Sequence, residues 1–134
     1  MQNAEKSLVV QPSGDKPQNI HDRALSYGVR AIRFFRFLQK SRDVACQIVG
    51  KQYLRSATSI GANLSEAHAA ETRADFIHKC SIAQKEAREC LYWLKLIAAA
   101  ELVTRDRLQP LIVETGEIVA VITTIAKNAR RRSE

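Results

Sequence analysis

The hydrophobic positions of the chain recur with helical spacing in four stretches, so the pattern predicts four helices. The third stretch is the most regular and opens on the capping sequence Thr72-Arg73-Ala74-Asp75. Ser41 or Asp43 is suited to cap the second helix. The predicted helices cover residues 22–40, residues 44–69, about 27 residues after Thr72, and residues 106–128.

Each predicted helix carries an apolar stripe that we expect to face a common core. In the third helix the spacing alternates between four and three residues, which is a heptad and predicts nearly antiparallel packing. Its members are Phe76, Cys80, Ala83, Ala87, Cys90, Leu94 and Ile97. In the first helix Leu25, Ile32, Phe35 and Leu38 lie near helical spacing, with Ala24, Tyr27, Ala31 and Phe34 beside them. Pro110 predicts that the fourth helix begins later than Thr104 indicates.

Short connections between four such helices predict an all-α fold, an antiparallel up-down-up-down four-helix bundle. The chain has only 5 Gly, 3 Pro and 6% aromatic residues, too few for the turns and strands of a sandwich or barrel. Residues 1–20 contain Pro12, Gly14 and Pro17 and are predicted to form a flexible, disordered leader. Residues 21–129 then form the bundle and residues 130–134 a basic tail.

The expected cellular location follows from the membrane and secretion signals that the sequence lacks. No apolar run approaches the ~18 residues of a transmembrane helix, and the N-terminus does not resemble a signal peptide. The three cysteines are an odd number without zinc spacing, so free thiols in a reducing compartment are expected. We therefore expect a cytoplasmic protein with no membrane partner.

Catalytic and metal-binding patterns are likewise missing. Asp75 and His78 form the nearest approach to a di-metal motif, but they occur once rather than on paired helices. The glycines are dispersed inside helices and form no phosphate-binding loop. The sequence predicts no enzyme activity, no metal and no cofactor.

The charge is more informative. The formal net charge is +7, and residues 21–43 hold six basic and two acidic residues, a net +4. No acid lies between Arg23 and Lys40, and helical spacing places the basic side chains within about 120° of one face. The candidate nucleic-acid-binding residues are Arg23, Arg30, Arg33, Arg36 and Lys40, with Arg130, Arg131 and Arg132 at the C-terminus.

Two interpretations of these residues are open. Clustered cations of one sign are typical of phosphate binding to RNA or DNA, whereas a solvated face that aids solubility is the ordinary alternative. The C-terminal arginines would either add phosphate contacts or complement the dipole of the fourth helix. Phe34 and Phe35 are expected in the core, and Phe37 lies at the edge of the basic face.

Residues 53–67 are unusual because Ser, Thr, Gly and Asn fill a helix interior, where their propensity is poor. We predict that Arg55, Asn63 and Glu66 form a polar network that joins the second helix to a neighbouring helix or to another subunit. A solvent-facing polar stripe is the alternative. The candidate structural or oligomer-forming residues are Arg55, Ser56, Ser59, Asn63 and Glu66.

This segment resembles a family of four-helix bundles encoded in intervening sequences of bacterial 23S rRNA genes. The residues that carry the resemblance are Arg55-Ser56, Ser59-Ile60 and Asn63-Leu64-Ser65-Glu66, within a looser match over residues 23–126. Gly61 and Ala67 depart from the pattern of that family. The family in turn resembles the accessory variability proteins of diversity-generating retroelements.

The resemblance implies a homo-oligomer, commonly a pentamer, with a basic surface. The retroelement relatives bind nucleic acid and a reverse transcriptase, so either is an expected partner. The resulting hypothesis is a non-catalytic oligomeric bundle that binds RNA or DNA. The rival hypothesis is a protein-binding scaffold whose basicity is incidental.

Overall fold

A computed structural model of the protein describes residues 19–133, and these form four helices and no strand. The helices are α1 (Ile20–Gln39), α2 (Val44–His68), α3 (Arg73–Ala99) and α4 (Arg105–Ser133). Each packs antiparallel on the helix that follows it in the chain, and α1 meets α4 through longer side chains. The predicted all-α bundle is confirmed. Residues 1–18 of the predicted leader lie outside the described residues.

Side-chain caps fix where the helices begin. Asn19 accepts a hydrogen bond from the backbone N–H three residues later at 2.9 Å, so α1 starts at Ile20, inside the stretch predicted as leader. Asp43 caps α2 and Thr72 caps α3 in the same way, at 2.9 and 3.1 Å. The Thr72 cap was predicted and Asp43 was one of two predicted candidates, and each satisfies an N–H that has no partner within its helix.

The turn between α3 and α4 is closed by backbone hydrogen bonds. Glu101 adopts a left-handed conformation with φ of 58°. Its N–H donates to the carbonyl of Ala98 at 3.1 Å, and that of Leu102 donates to the carbonyl of Ile97 at 3.0 Å. This pair of bonds is a Schellman motif, which ends α3 and reverses the chain.

The fourth helix departs from its prediction at both ends. It begins at Arg105, because the exposed Pro110 is accommodated inside the helix rather than delaying its start. It then continues to Ser133, so residues 130–133 of the predicted tail are the last turn of α4.

The core is lined by small and medium side chains. On α3 the predicted heptad is confirmed, with every member buried except the half-buried Phe76. On α1 the predicted stripe is confirmed at Leu38 and wrong at Leu25 and Ile32, which are 70% and 39% exposed. The buried side chains of α1 are Ala24, Tyr27, Ala31 and Leu38. The small side chains of Ala24 and Ala31 allow α1 to pack closely on its neighbours, and Leu25 and Ile32 lie on the outer side of the helix.

A chain of buried hydroxyl groups crosses this apolar core. Tyr53 of α2 donates to Tyr27 of α1 at 2.9 Å, and Tyr27 pairs with Thr115 of α4 at 2.7 Å. Thr115 uses its single proton on the carbonyl of Leu111 at 2.6 Å, so Tyr27 is the donor to Thr115. The thiol of Cys90 on α3 is fully buried close to Tyr27. All four helices therefore meet at this hydroxyl chain.

The hydroxyl chain makes the fold sensitive to alkali. Burial raises the pKa of Tyr27 and Tyr53 well above 10 and that of Cys90 to about 12. Unfolded chains ionise these groups at lower pH, so the unfolded state loses protons that the folded state keeps. We expect this contribution to stability to be complete below about pH 8 and to be lost progressively from there to pH 12, because Cys and Tyr ionise in the unfolded chain near 8.5 and 10. Urea midpoints measured from pH 7 to pH 11 test this.

The matched variant is Tyr53→Phe, which removes one of the three ionisable groups. Its urea midpoint should fall less steeply with pH than that of the unmodified protein. A midpoint that stays constant between pH 8 and pH 11 in the unmodified protein would contradict the expectation.

By length and mean hydropathy, α4 meets the criteria for a helix that crosses a membrane. A core helix passes the same test. Leu108, Ile118 and Ile122 of α4 are fully buried in the core of the bundle, although only 28% of its most apolar stretch is buried. The absence of a membrane partner remains a prediction.

Candidate nucleic-acid interface

The basic residues of α1 divide into two groups. Arg23 forms an ion pair with Glu117, and Arg30 forms one with Glu114, both across the seam between α1 and α4. The expectation that no acid neutralises these side chains is therefore wrong for Arg23 and Arg30. The neutralising glutamates lie more than 80 positions away in sequence and reach α1 only because α4 runs antiparallel beside it.

The remaining cations of α1 lie toward its C-terminal end. Arg36 and Lys40 are exposed and form no ion pair within the described residues, and Arg33 is half-buried in the groove described below. Arg36 and Lys40 are therefore the predicted cations of α1 that remain available to a phosphate group.

The start of α4 supplies further cations that the sequence analysis missed. Because α4 is antiparallel to α1, its N-terminus lies at the same end of the bundle as the C-terminus of α1. The guanidinium of Arg107 sits 4.7 Å from the centre of the Phe37 ring, a cation–π contact. Residues 33–43 and 101–107, where α1 ends and α4 begins, carry six cations against three acids (Asp43, Glu101 and Asp106). The cations are Arg33, Arg36, Lys40, Arg42, Arg105 and Arg107.

A groove of about 400 Å³ opens between α1 and α4 at this end. Its floor and walls are apolar and its rim is formed by guanidinium groups. Phe34 and Phe37 stack with their ring centres 6.4 Å apart, and Phe37 remains 41% exposed. The lining residues are Arg30, Arg33, Phe34, Phe37, Val103, Arg107 and Leu111.

The C-terminal arginines lie at the opposite end of the bundle. Arg130 donates to the hydroxyl of Ser81 at 2.8 Å, and Arg131 and Arg132 are exposed in the last turn of α4. They lie 25 to 27 residues along the helix from Arg105, which is roughly 40 Å. They therefore do not share one binding site with Arg36 and Lys40 within a single chain.

The polar segment of α2 behaves only in part as predicted. Arg55 pairs with Glu89 of α3 at 2.7 Å and approaches Glu86 at 3.9 Å, so it does join α2 to a neighbouring helix. Asn63 instead donates to the carbonyl of Ser59 on its own helix at 2.8 Å. Glu66 is exposed and has no partner within the described residues. The predicted network of Arg55, Asn63 and Glu66 is therefore wrong within one chain.

The two serines of the segment also have local roles. Ser56 is fully buried at the contact between helices, where its small size permits close packing. The hydroxyl of Ser59 donates to the carbonyl of Arg55 at 2.7 Å. Neither side chain bonds to another helix within the described residues.

A second basic stripe lies on α3, and the sequence analysis did not single it out. Lys85, Arg88 and Lys95 are exposed around Tyr92, which is 56% exposed, and none of the three cations forms an ion pair within the described residues. Their helical spacing was a usable signal. This stripe belongs to one convex helix face, whereas the cations near Phe37 come from two helices around a groove.

The side chains that catalyse reactions or bind metals in other proteins do not cluster among the described residues. In the described part of the chain no three His, Cys, Asp or Glu side chains come together in a way that would hold a metal ion. Cys46, Cys80 and Cys90 are buried free thiols, and burial raises the pKa of Cys80 and Cys90. Protonated, buried thiols are poor nucleophiles.

Comparison with known proteins identifies the family. The model of the family described as 23S rRNA-intervening sequence protein matches residues 18–124, which include most of all four helices. The chain belongs to this family. The predicted relation to the family is confirmed, and the match extends further along the chain than the motif on α2 that first indicated it.

A solved structure gives the same picture for this intervening-sequence family protein. The crystal structure of a protein with unknown function from the S23 ribosomal protein family of Bacteroides thetaiotaomicron is 40% identical and has a TM-score of 0.74. The alignment covers 81% of this chain and 99% of that chain. Comparison with curated proteins finds no match.

Proposed function

We propose that this intervening-sequence family protein is a non-catalytic, cytoplasmic, oligomeric bundle that binds RNA or DNA through its basic surface. The observation that carries the proposal is the gathering of six cations against three acids where α1 ends and α4 begins. Arg36 and Lys40 are exposed there without ion-pair partners among the described residues. A concave surface with one sign of charge concentrates the positive potential and attracts a phosphate backbone.

A salt series tests the proposal directly. Binding of a labelled RNA that contains both paired and unpaired segments should weaken steeply between about 50 and 200 mM salt. We expect the logarithm of the affinity to fall by at least about two units per tenfold rise in salt, corresponding to three or more phosphate contacts. A shallower slope, or no binding, would contradict the proposal. Recovery of one protein partner without nuclease-sensitive material would favour the scaffold instead.

The retroelement connection belongs to the same proposal. The resemblance to accessory variability proteins implies that a reverse transcriptase is a partner of the nucleic-acid complex. Co-purification of the tagged protein with a reverse transcriptase from the native cells, lost on nuclease treatment, would support a role through shared nucleic acid. Its persistence after nuclease treatment would indicate direct binding.

We further propose that the protein is a homo-oligomer, with a pentamer as the form that the resemblance implies. Leu25, Ile32, Val44 and Ile48 are exposed by 39–70% on the outward sides of α1 and α2. Surface apolar side chains of this size on adjacent helices favour a contact between subunits.

Leu25→Glu should dissociate the oligomer, because a buried, unpaired carboxylate is strongly unfavourable at an apolar interface. The mass from light scattering should fall to that of a smaller species, while the helical circular dichroism stays unchanged. Val113→Glu is the matched control, since Val113 is 49% exposed on α4. An unchanged mass for Leu25→Glu would exclude this surface from the interface.

A further inference from the structure

The groove between α1 and α4 combines two features that one ligand must match. Its interior is formed by Phe34, Phe37, Val103 and Leu111, and its rim carries the guanidinium groups of Arg30, Arg33 and Arg107. Its volume of about 400 Å³ falls within the range of small-molecule sites. A bare phosphate would leave the aromatic floor unused, and a purely apolar ligand would remove the charged rim from water.

A nucleotide satisfies both features, because its base is flat and apolar on its faces and its phosphate is anionic. The Phe37 ring already accepts a flat cation, with Arg107 lying 4.7 Å from its centre. Unpaired bases stack in the same way on aromatic rings and on arginine planes. Arg107 is exposed, so it is free to move outward and cover the second face of an inserted base.

The rim residues have different roles toward such a ligand. Arg30 forms an ion pair with Glu114, which neutralises most of its charge within the protein. Lys40 lies about one helical turn beyond Phe37, in reach of a phosphate that follows a base seated in the groove. The neighbouring Arg36 extends the same positive surface along α1.

We propose that this groove holds one unpaired base of a single-stranded nucleic acid, stacked on Phe37 beneath Arg107, so that the protein prefers single strands to duplexes. The inference rests on the proposed nucleic-acid binding and adds the form of the ligand. In a duplex both faces of each base are covered by its neighbours, so the groove has nothing to hold. Contacts to the sugar distinguish RNA from DNA, so the experiment includes both kinds of single strand.

The experiment compares three probes of one sequence at fixed salt: single-stranded RNA, single-stranded DNA and the RNA duplex. Phe37→Ala should weaken binding of both single strands by about tenfold and change binding of the duplex by less than about twofold. Tyr92→Ala is the matched control, because Tyr92 is a comparably exposed aromatic residue outside the groove. It should leave all three affinities unchanged.

A second variant guards against loss of folding. Phe37→Trp keeps an aromatic face, and its fluorescence in excess of that of Trp93 in the unmodified protein should be quenched when a single strand binds but not when a duplex binds. Equal effects of Phe37→Ala on strands and duplex, or no effect while binding persists, would overturn the groove but leave the proposed function standing. Failure of the unmodified protein to bind any probe would overturn both.

Discussion

Replacing Arg36 and Lys40 together by glutamate is expected to weaken RNA binding on the order of 100-fold at low salt. Both side chains are exposed and lack ion-pair partners in the described structure, so the change removes two phosphate contacts and adds two repulsive charges. The slope of log affinity against log salt should become shallower by about 1.5 to 2. Fluorescence anisotropy over a salt series measures both quantities.

The matched control is Lys85→Glu with Arg88→Glu, which changes the net charge equally on the convex face of α3. We expect it to weaken binding by no more than about fivefold, through the general field of the protein. If the two double variants lose affinity equally, binding follows net charge rather than a site. If the α3 variant loses more, the interface is the stripe around Tyr92.

The second large effect is on stability. Tyr27→Phe is expected to lower the free energy of unfolding by about 2 kcal/mol. Tyr27 is fully buried, and removing its hydroxyl leaves Tyr53 without an acceptor and Thr115 without a donor. Buried polar groups that lose their partners carry the full penalty of desolvation. Urea unfolding followed by circular dichroism gives the value.

Tyr53→Phe provides the comparison, because Tyr53 stands at the start of the hydroxyl chain and its loss leaves no donor stranded. It should lower the stability by about half as much as Tyr27→Phe. In the double variant the orphaned Tyr53 hydroxyl is gone, so its loss should be smaller than the sum of the two single losses. A Tyr27→Phe protein within about 0.5 kcal/mol of the unmodified protein would show that the hydroxyl chain contributes little.

The fold was predictable where apolar residues recur without interruption and where a capping residue marks the start of a helix. The heptad of α3 runs without interruption and identified its buried face correctly, and the caps at Asp43 and Thr72 marked two helix starts. On α1 the large apolar residues Leu25 and Ile32 suggested a core stripe, although small alanines are what its neighbours admit. Side-chain size alone does not reveal how close two helices come.

The candidate site was predictable only in its local part. The cations of α1 were visible as one face, but pairing of Arg23 with Glu117 and approach of Arg107 to Phe37 depend on the antiparallel course of α4. The same limit applies to α2, where the side chain of Asn63 donates to the carbonyl of Ser59 on its own helix rather than to a distant residue. Contacts between residues far apart in the chain need the fold before they can be assigned.

The hydroxyl chain has a consequence for the alignment of the helices. Ala24 and Ala31 are both buried on α1 two helical turns apart, so a slide of α1 along its axis by two turns would place one alanine where the other had been. That translation would carry Tyr27 about 10 Å away from Thr115 and Tyr53 and strand several polar groups in an apolar interior. The hydrogen bonds among the three hydroxyl groups therefore fix the position of α1 along its axis. They also hold Phe37 and Arg107 at the same height on either side of the seam.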